Sequence, residues 1–194
     1  MTLKSEMQKS TANSTVLSMD QNTHDLLRSQ QVAYDGGLFL IRLAVGLPMA
    51  GHGAQKLFGW FDGSGIDKTG EFFTSSGYQA GKAMAVVAGL SELIGGLGLA
   101  LGLVTPLAGA AIVGVMLNVL AVKWGSGYFM NDKDGGLEYE LLILASAAAL
   151  TLTGPGRVSC DAHLPILRDC RLFHAAMALG LGVVTAGVIL LIRD

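Results

Sequence analysis

The chain has 194 residues, of which 51% are hydrophobic and 14% charged, with 27 glycines and a formal net charge of -2. Charge so far below the roughly 25% of a soluble domain, with a mean hydropathy of +0.51, excludes a disordered chain and argues against a soluble α/β enzyme. The near-balanced charge gives no electrostatic reason to expect a nucleic acid as partner.

Residues 1–35 are rich in Ser, Thr, Gln and Asn and carry no sustained apolar period. They read as a flexible polar tail, with a short amphipathic helix near Thr23–Tyr34. The basic start and early apolar core of a signal peptide are missing.

Five apolar runs follow. The first, Gly36–Ala54, is interrupted by Arg42 and His52. The second, Ala83–Leu103, is 21 residues long and broken only by Ser91 and Glu92. The third, Pro106–Val122, has 17 residues and contains Asn118. The fourth, Leu137–Thr153, opens with Glu138 and Glu140. The fifth, Ala175–Ile192, has 18 residues and no charge. A bilayer core takes about 20 helical residues, within a range of about 17–25. These runs are too long for strands and too apolar for surface helices. The expected fold is therefore an all-α membrane protein: an antiparallel four-helix transmembrane bundle at 36–161, then a linker and fifth transmembrane helix at 162–194.

Only Val104–Thr105 separate the second and third runs before Pro106, which suits a first helical turn because its missing N–H would be unpaired there anyway. The Gly59–Lys82 connection contains Asp67-Lys-Thr-Gly-Glu-Phe-Phe, expected as a short helix on the membrane surface with Phe72 and Phe73 down. With the N-terminus inside, Lys and Arg divide six against six between the two sides. The Arg157–Arg171 cluster in a short loop tips the choice to a cytoplasmic N-terminus.

The polar groups within apolar runs are the informative ones, since a charge at mid-bilayer costs roughly 2.5–3.5 kcal/mol on insertion scales. Arg42 is expected to snorkel to inner headgroups. His52, Gln55, Lys56, Glu92, Asn118, Glu138 and Glu140 all fall in the outer half of one bundle. Lys or His beside carboxylates lowers the cost of burying both. The cluster reads either as a polar pocket for a small molecule or proton relay, or as an ion-pair network fixing helix register. Taken singly, Glu138 and Glu140 read as an exposed helix N-terminus interacting with the dipole.

Other patterns carry no chemistry. Gly95-Gly-Leu-Gly-Leu-Ala lies inside an apolar helix and so is no dinucleotide loop. Gly98–Gly102 has the spacing of helix packing. His52, His163 and His174 lack partners at metal-ligand spacing, and no metal is expected. Cys160 and Cys170 read as reduced thiols, and the methionines as packing.

Gly51-His-Gly-Ala-Gln-Lys-Leu-Phe-Gly-Trp-Phe resembles the signature of the DoxX family of bacterial membrane proteins. Glu92-Leu-Ile-Gly-Gly with the later Thr105-Pro, Gly136-Leu-Glu-Tyr-Glu, and Thr153-Gly-Pro-Gly-Arg-Val-Ser-Cys-Asp resemble further segments of that family, in order along the chain. The resemblance covers about Gly36–Asp161. It implies a four-helix bundle of the bacterial inner membrane, usually labelled an oxidoreductase, with relatives in quinone-, thiol- and sulfur-linked complexes. No catalytic residue set comes with it. The matching polar positions are His52, Gln55, Lys56, Glu92, Glu138 and Arg157. No intrinsic cofactor motif is present, so a quinone or a partner subunit would have to supply the redox group. Two functions follow: a membrane subunit of an oxidoreductase system, or a non-catalytic assembly factor, scaffold or small-solute carrier.

Overall fold

The computed structural model describes residues 2–129, 136–164 and 171–193, with side chains from residue 21 onward except at 171. Every regular element among the described residues is helical: α1 Thr2–Phe58, α2 Gly65–Ser75, α3 Gly81–Leu101, α4 Thr105–Val122, α5 Glu138–Thr153, a 3-10 turn Cys160–His163, and α6 Arg171–Leu191. Cys170, Arg168 and Lys133 lie outside the described residues.

Residues 1–37 and 38–194 form two separate units. The first is the leading part of α1, so helix replaces the expected tail. The physical reason is that 1–35 contain neither Gly nor Pro, while Leu, Met, Lys, Arg, Gln and Ala among them favour helix. In this unit Gln31 Nε2 donates to Asp35 Oδ2 four residues on, at 3.1 Å.

The second unit holds all the other helices, with α6 among them. The packing of α1 on α3 is antiparallel and backbone-to-backbone. A Cβ at Gly46 would lie 2.5 Å from Gly96 O, and one at Gly53 2.6 Å from Gly89 O. Small residues at such crossings are how apolar helices associate when lipid offers no hydrophobic gradient. At the centre of the unit is α4, which packs on α3, α5 and α6. Its Gly109 meets Thr151 and Ala147 of α5, and its Ala110 and Gly114 meet Gly182 of α6. Met49, Leu99, Ile112, Ala147 and Leu150 fill the core between these backbones.

Among the described residues, four helices are long and apolar enough to cross a membrane: Gln21–Phe58 of α1, α3, α4, and Leu172–Leu191 of α6. The fourth apolar run is the exception. With 16 residues, α5 is about 24 Å long, short of a hydrocarbon core of about 30 Å. Lys123 holds its start, and Arg42 holds the loop that follows it.

The surface helix α2 forms where expected but orients its aromatics differently. Phe72 is exposed, whereas Phe73 turns in against Tyr78, ring centroids 5.3 Å apart. Thr69 and Gly70 are the buried positions of α2, and Gly70 packs on Gly81 and Lys82 at the start of α3. That packing fixes which face points down.

Candidate functional site

Glu92 sits near the middle of α3 with its side chain 2% exposed, and Lys56 near the end of α1 reaches it, Nζ to Oε2, at 2.6 Å. A buried carboxylate is tolerable only when paired and hydrogen-bonded. The close α1–α3 crossing supplies the pairing. Gly89 carries no side chain to block it: a Cβ there would meet Leu57 at 2.7 Å and Lys56 Cβ at 3.4 Å. The Lys56 side chain remains 27% exposed, so the pair joins a buried acid to the protein surface.

Beside the pair lies a cavity of about 290 Å³. Its walls come from α3 (Ala88, Ser91), α4 (Ala111, Gly114) and α6 (Thr185, Ile189), and its upper end from Phe73 and Tyr78. Lys56, Glu92 and Asn118 are among its polar lining residues. Tyr78 Oη donates to Asn118 Oδ1 at 3.3 Å, while Asn118 Nδ2 donates back to Gly114 O at 3.0 Å. Tyr78 is in turn held by the C-terminal end of α6. Arg193, just past that helix, pairs with Tyr78 as an antiparallel bridge, its Nε donates to Ser76 O at 2.7 Å, and its guanidinium lies 5.7 Å from the Tyr78 ring centre. Burial pushes the Tyr78 phenol above its ordinary value, with Arg193 opposing the shift. The phenol is therefore a donor at neutral pH.

The seven candidates cluster at this end of the bundle, and the structure divides them into three groups. Lys56, Glu92 and Asn118 line the cavity. His52 and Gln55 form a chain beside it: His52 Nδ1 is 3.0 Å from Gln55 Oε1, His52 Nε2 is 3.4 Å from Tyr139 Oη, and Gln55 Nε2 donates to Phe61 O at 3.2 Å. Glu140 pairs with Lys123 at 2.7 Å, with side-chain exposures of 12% and 30%. That corrects the expectation of an exposed helix N-terminus for Glu140. The Lys123 ammonium also reaches Gly136 O at 2.9 Å and so ties the end of α4 to the start of α5. Glu138 opens α5, its backbone N–H donating to Tyr128 O at 3.1 Å.

The opposite end is a structural lock. Arg42 is 1% exposed, so the snorkelling expectation is wrong. Its guanidinium donates to four backbone carbonyls: Leu99 O at 3.1 Å, Ala100 O at 3.0 Å, Pro155 O at 2.6 Å and Val158 O at 2.7 Å. All four of these hydrogen bonds go to main-chain carbonyls and none to a carboxylate. From the same 154–161 loop, Asp161 accepts from Val104 N at 2.6 Å and Thr105 N at 2.8 Å, the open N-terminus of α4. Gly102 ends α3 at φ +63°, and a Cβ there would lie 2.6 Å from Ser159 Cβ and 2.9 Å from Arg42 Cζ. The Gly-Pro-Gly-Arg-Val-Ser-Cys-Asp segment thus closes the α3–α4 turn.

Sequence reasoning missed Tyr78, Arg193, Lys123 and Tyr139. None stands at a helical spacing from the partner it meets. The one available signal was the presence of two cations, Lys123 and Arg193, beside the ends of apolar runs, where unpaired carbonyls or carboxylates need donors.

Residues 37–124 match the DoxX family. This segment is what the chain shares with DoxX. Neither a curated protein nor a solved structure matches the chain. The DoxX segment contains Arg42, Lys56, Tyr78, Glu92 and Asn118, the larger part of both ends. Asp161, Glu140 and the α6 wall lie beyond the match. With its apolar spanning helices, the protein is a multi-pass all-α membrane protein in a lipid environment, similar to DoxX over residues 37–124. Among the described residues, no group of three or more His, Cys, Asp or Glu could hold a metal ion.

Proposed function

We propose that the protein is the membrane subunit of an oxidoreductase system linked to quinone or to thiol and sulfur chemistry, and that the cavity beside Lys56–Glu92 is its quinone site. The observation that carries this reading is the buried ion pair at 2.6 Å facing a mostly apolar cavity of about 290 Å³. That size is near the lower end of small-molecule pockets, about 300–1,000 Å³, which are mostly apolar with a few placed polar groups. A quinone ring is apolar like most of these walls, and its carbonyl oxygen is an acceptor for an ammonium.

Bound there, a quinone would accept two electrons from a partner subunit and two protons. The chain's own residues handle the protons and the orientation. Lys56 has three N–H donors and gives one to Glu92, which leaves donors for a carbonyl. Glu92 holds the counter-charge in a dry setting where it acts strongly. The exposed part of Lys56 connects the pair to the water-facing end. By the positive-inside rule we assign the Arg42 end, with Arg157, to the cytoplasmic face of a bacterial inner membrane.

The test is native purification, with bound quinone and partner chains identified by mass spectrometry. Turnover of the intact complex is then measured in Glu92→Gln and Lys56→Ala. Loss of quinone reduction in both is expected. Unchanged turnover in both, with normal membrane insertion, overturns the reading. It would favour a non-catalytic assembly factor, scaffold or solute carrier, in which Lys56 and Glu92 satisfy each other and only fix the register of α1 on α3.

A further inference from the structure

Helices α3 and α6 both pack on α4, and among the described residues no comparable interface joins them to each other. The cavity lies between them, with α4 as its floor. Three lining residues at this gap are exposed: Val87 at 45%, Leu107 at 53% and Leu181 at 57%. All are aliphatic and lie within helices that span the membrane. The upper end is closed instead, by Phe73 and by Tyr78, which is 2% exposed and strapped down by Arg193. The cavity is therefore covered at its water-facing end and open along its hydrocarbon-facing side.

We infer that the cavity is loaded sideways from the bilayer, through the gap between α3 and α6, by an amphiphile whose hydrogen-bond-accepting headgroup meets Lys56 while its apolar tail leaves past Val87, Leu107 and Leu181. Polarity grades in that sense along the cavity: the ammonium and carboxylate stand at its inner wall and aliphatic side chains at its rim. A wholly polar solute has no path through an aliphatic rim, and a wholly apolar one leaves the Lys56 donors unanswered. Two observations make α6 part of the site and not an added anchor. It supplies Leu181, Thr185 and Ile189 to the wall, and its Arg193 holds the roof. Gly182 sets its distance from α4, since a Cβ there would lie 2.6 Å from Ala110 O.

This inference rests on the cavity being a ligand site but not on redox chemistry, so two probes separate the readings: an azido derivative of decylubiquinone and a diazirine derivative of stearate. Full-length protein in phosphatidylcholine nanodiscs is mixed with each and flashed at successive times, and the labelled peptides are mapped. Labelling of the α3, α4 and α6 cavity segments is expected, slowed about ten-fold in Val87→Trp and in Leu181→Trp. Ile94→Trp, on the lipid-exposed face of α3 (65% exposed) and outside the cavity, leaves the rate unchanged. These side chains face outward, and thermal unfolding verifies that the variants fold. Labelling by stearate alone supports lateral loading and defeats the quinone reading. Labelling by both probes at wild-type rates in the rim variants, with a faster rate in Tyr78→Ala, places the entry at the aqueous end and overturns lateral loading. No labelling by either probe overturns it as well.

Discussion

Arg42 and Asp161 grip the two sides of one helix turn: Arg42 takes the last carbonyls of α3 at Leu99 and Ala100, and Asp161 takes the first N–H groups of α4 at Val104 and Thr105. A cation thus meets a helix C-terminus and an anion a helix N-terminus, as the two dipoles favour. Both residues are buried, where unpaired backbone groups cost most.

Removing either grip should loosen the α3–α4 hairpin. Arg42→Ala strands four acceptors, three of them in buried hydrogen bonds, and is expected to cost about 3 kcal/mol. Arg42→Lys keeps the charge but not the planar fork and should recover only part of the loss. Asp161→Asn retains one acceptor oxygen and should cost about 1–2 kcal/mol. Thermal unfolding in detergent checks all three, and full stability in Arg42→Lys would show that charge alone suffices.

The Lys56–Glu92 pair should respond asymmetrically. Lys56→Ala leaves a carboxylate 2% exposed without its partner, whereas Glu92→Gln leaves an ammonium whose side chain is 27% exposed and can turn to water. The first is expected near the 3–5 kcal/mol of a broken buried pair, and the second about half that. Lys56→Met with Glu92→Leu removes both charges and should recover most of the stability. If it recovers quinone binding as well, the pair is architectural only.

Glycines of α1 should divide by what faces them. In Gly46→Ala the new methyl meets Gly96 O at 2.5 Å and Ala100 N at 2.6 Å, both backbone, so α1 and α3 must separate. A cost of about 1–3 kcal/mol is expected, as for an overpacked core. In Gly51→Ala the methyl meets nothing within 4 Å, and helix propensity alone should add up to about 1 kcal/mol. Equal effects from the two substitutions would contradict the close α1–α3 crossing.

Alkaline pH should release the roof of the cavity. The Tyr78 phenol titrates above its ordinary value in the folded protein, chiefly from burial. The neutral form is thus favoured by folding, and its contribution is complete below the unfolded value of about 10. It is lost as pH rises through the higher folded value. Wild-type stability should therefore fall in that window by more than that of Tyr78→Phe. Parallel unfolding curves for the two proteins at each pH would remove Tyr78 from the account.

The sequence announces the helices because a run of about 20 apolar residues has few other outcomes. It places their ends less well. The second apolar run extends to Leu103, yet α3 stops at Leu101 because Gly102 adopts φ +63°. Composition also misleads over residues 1–35, where polar side chains suggest a tail although no Gly or Pro interrupts the helix. In the site, helical spacing and charge bring Lys56 and Glu92 into one group, and they meet. The same logic adds Glu140, whose actual partner Lys123 stands 17 residues away across a loop with no periodicity. For Arg42 no side-chain logic could succeed, because its acceptors belong to the main chain, two of them more than 110 residues away.

That last feature concentrates the information in the lock at one position. Every residue type offers the same carbonyl, so the acceptor at Val158, whose side chain is 56% exposed, survives replacement by almost anything. No second residue can change in step with Arg42 to compensate for its loss. The lock would leave no correlated pair of substitutions among variants of this chain, only one arginine that does not vary beside an acceptor site that varies freely.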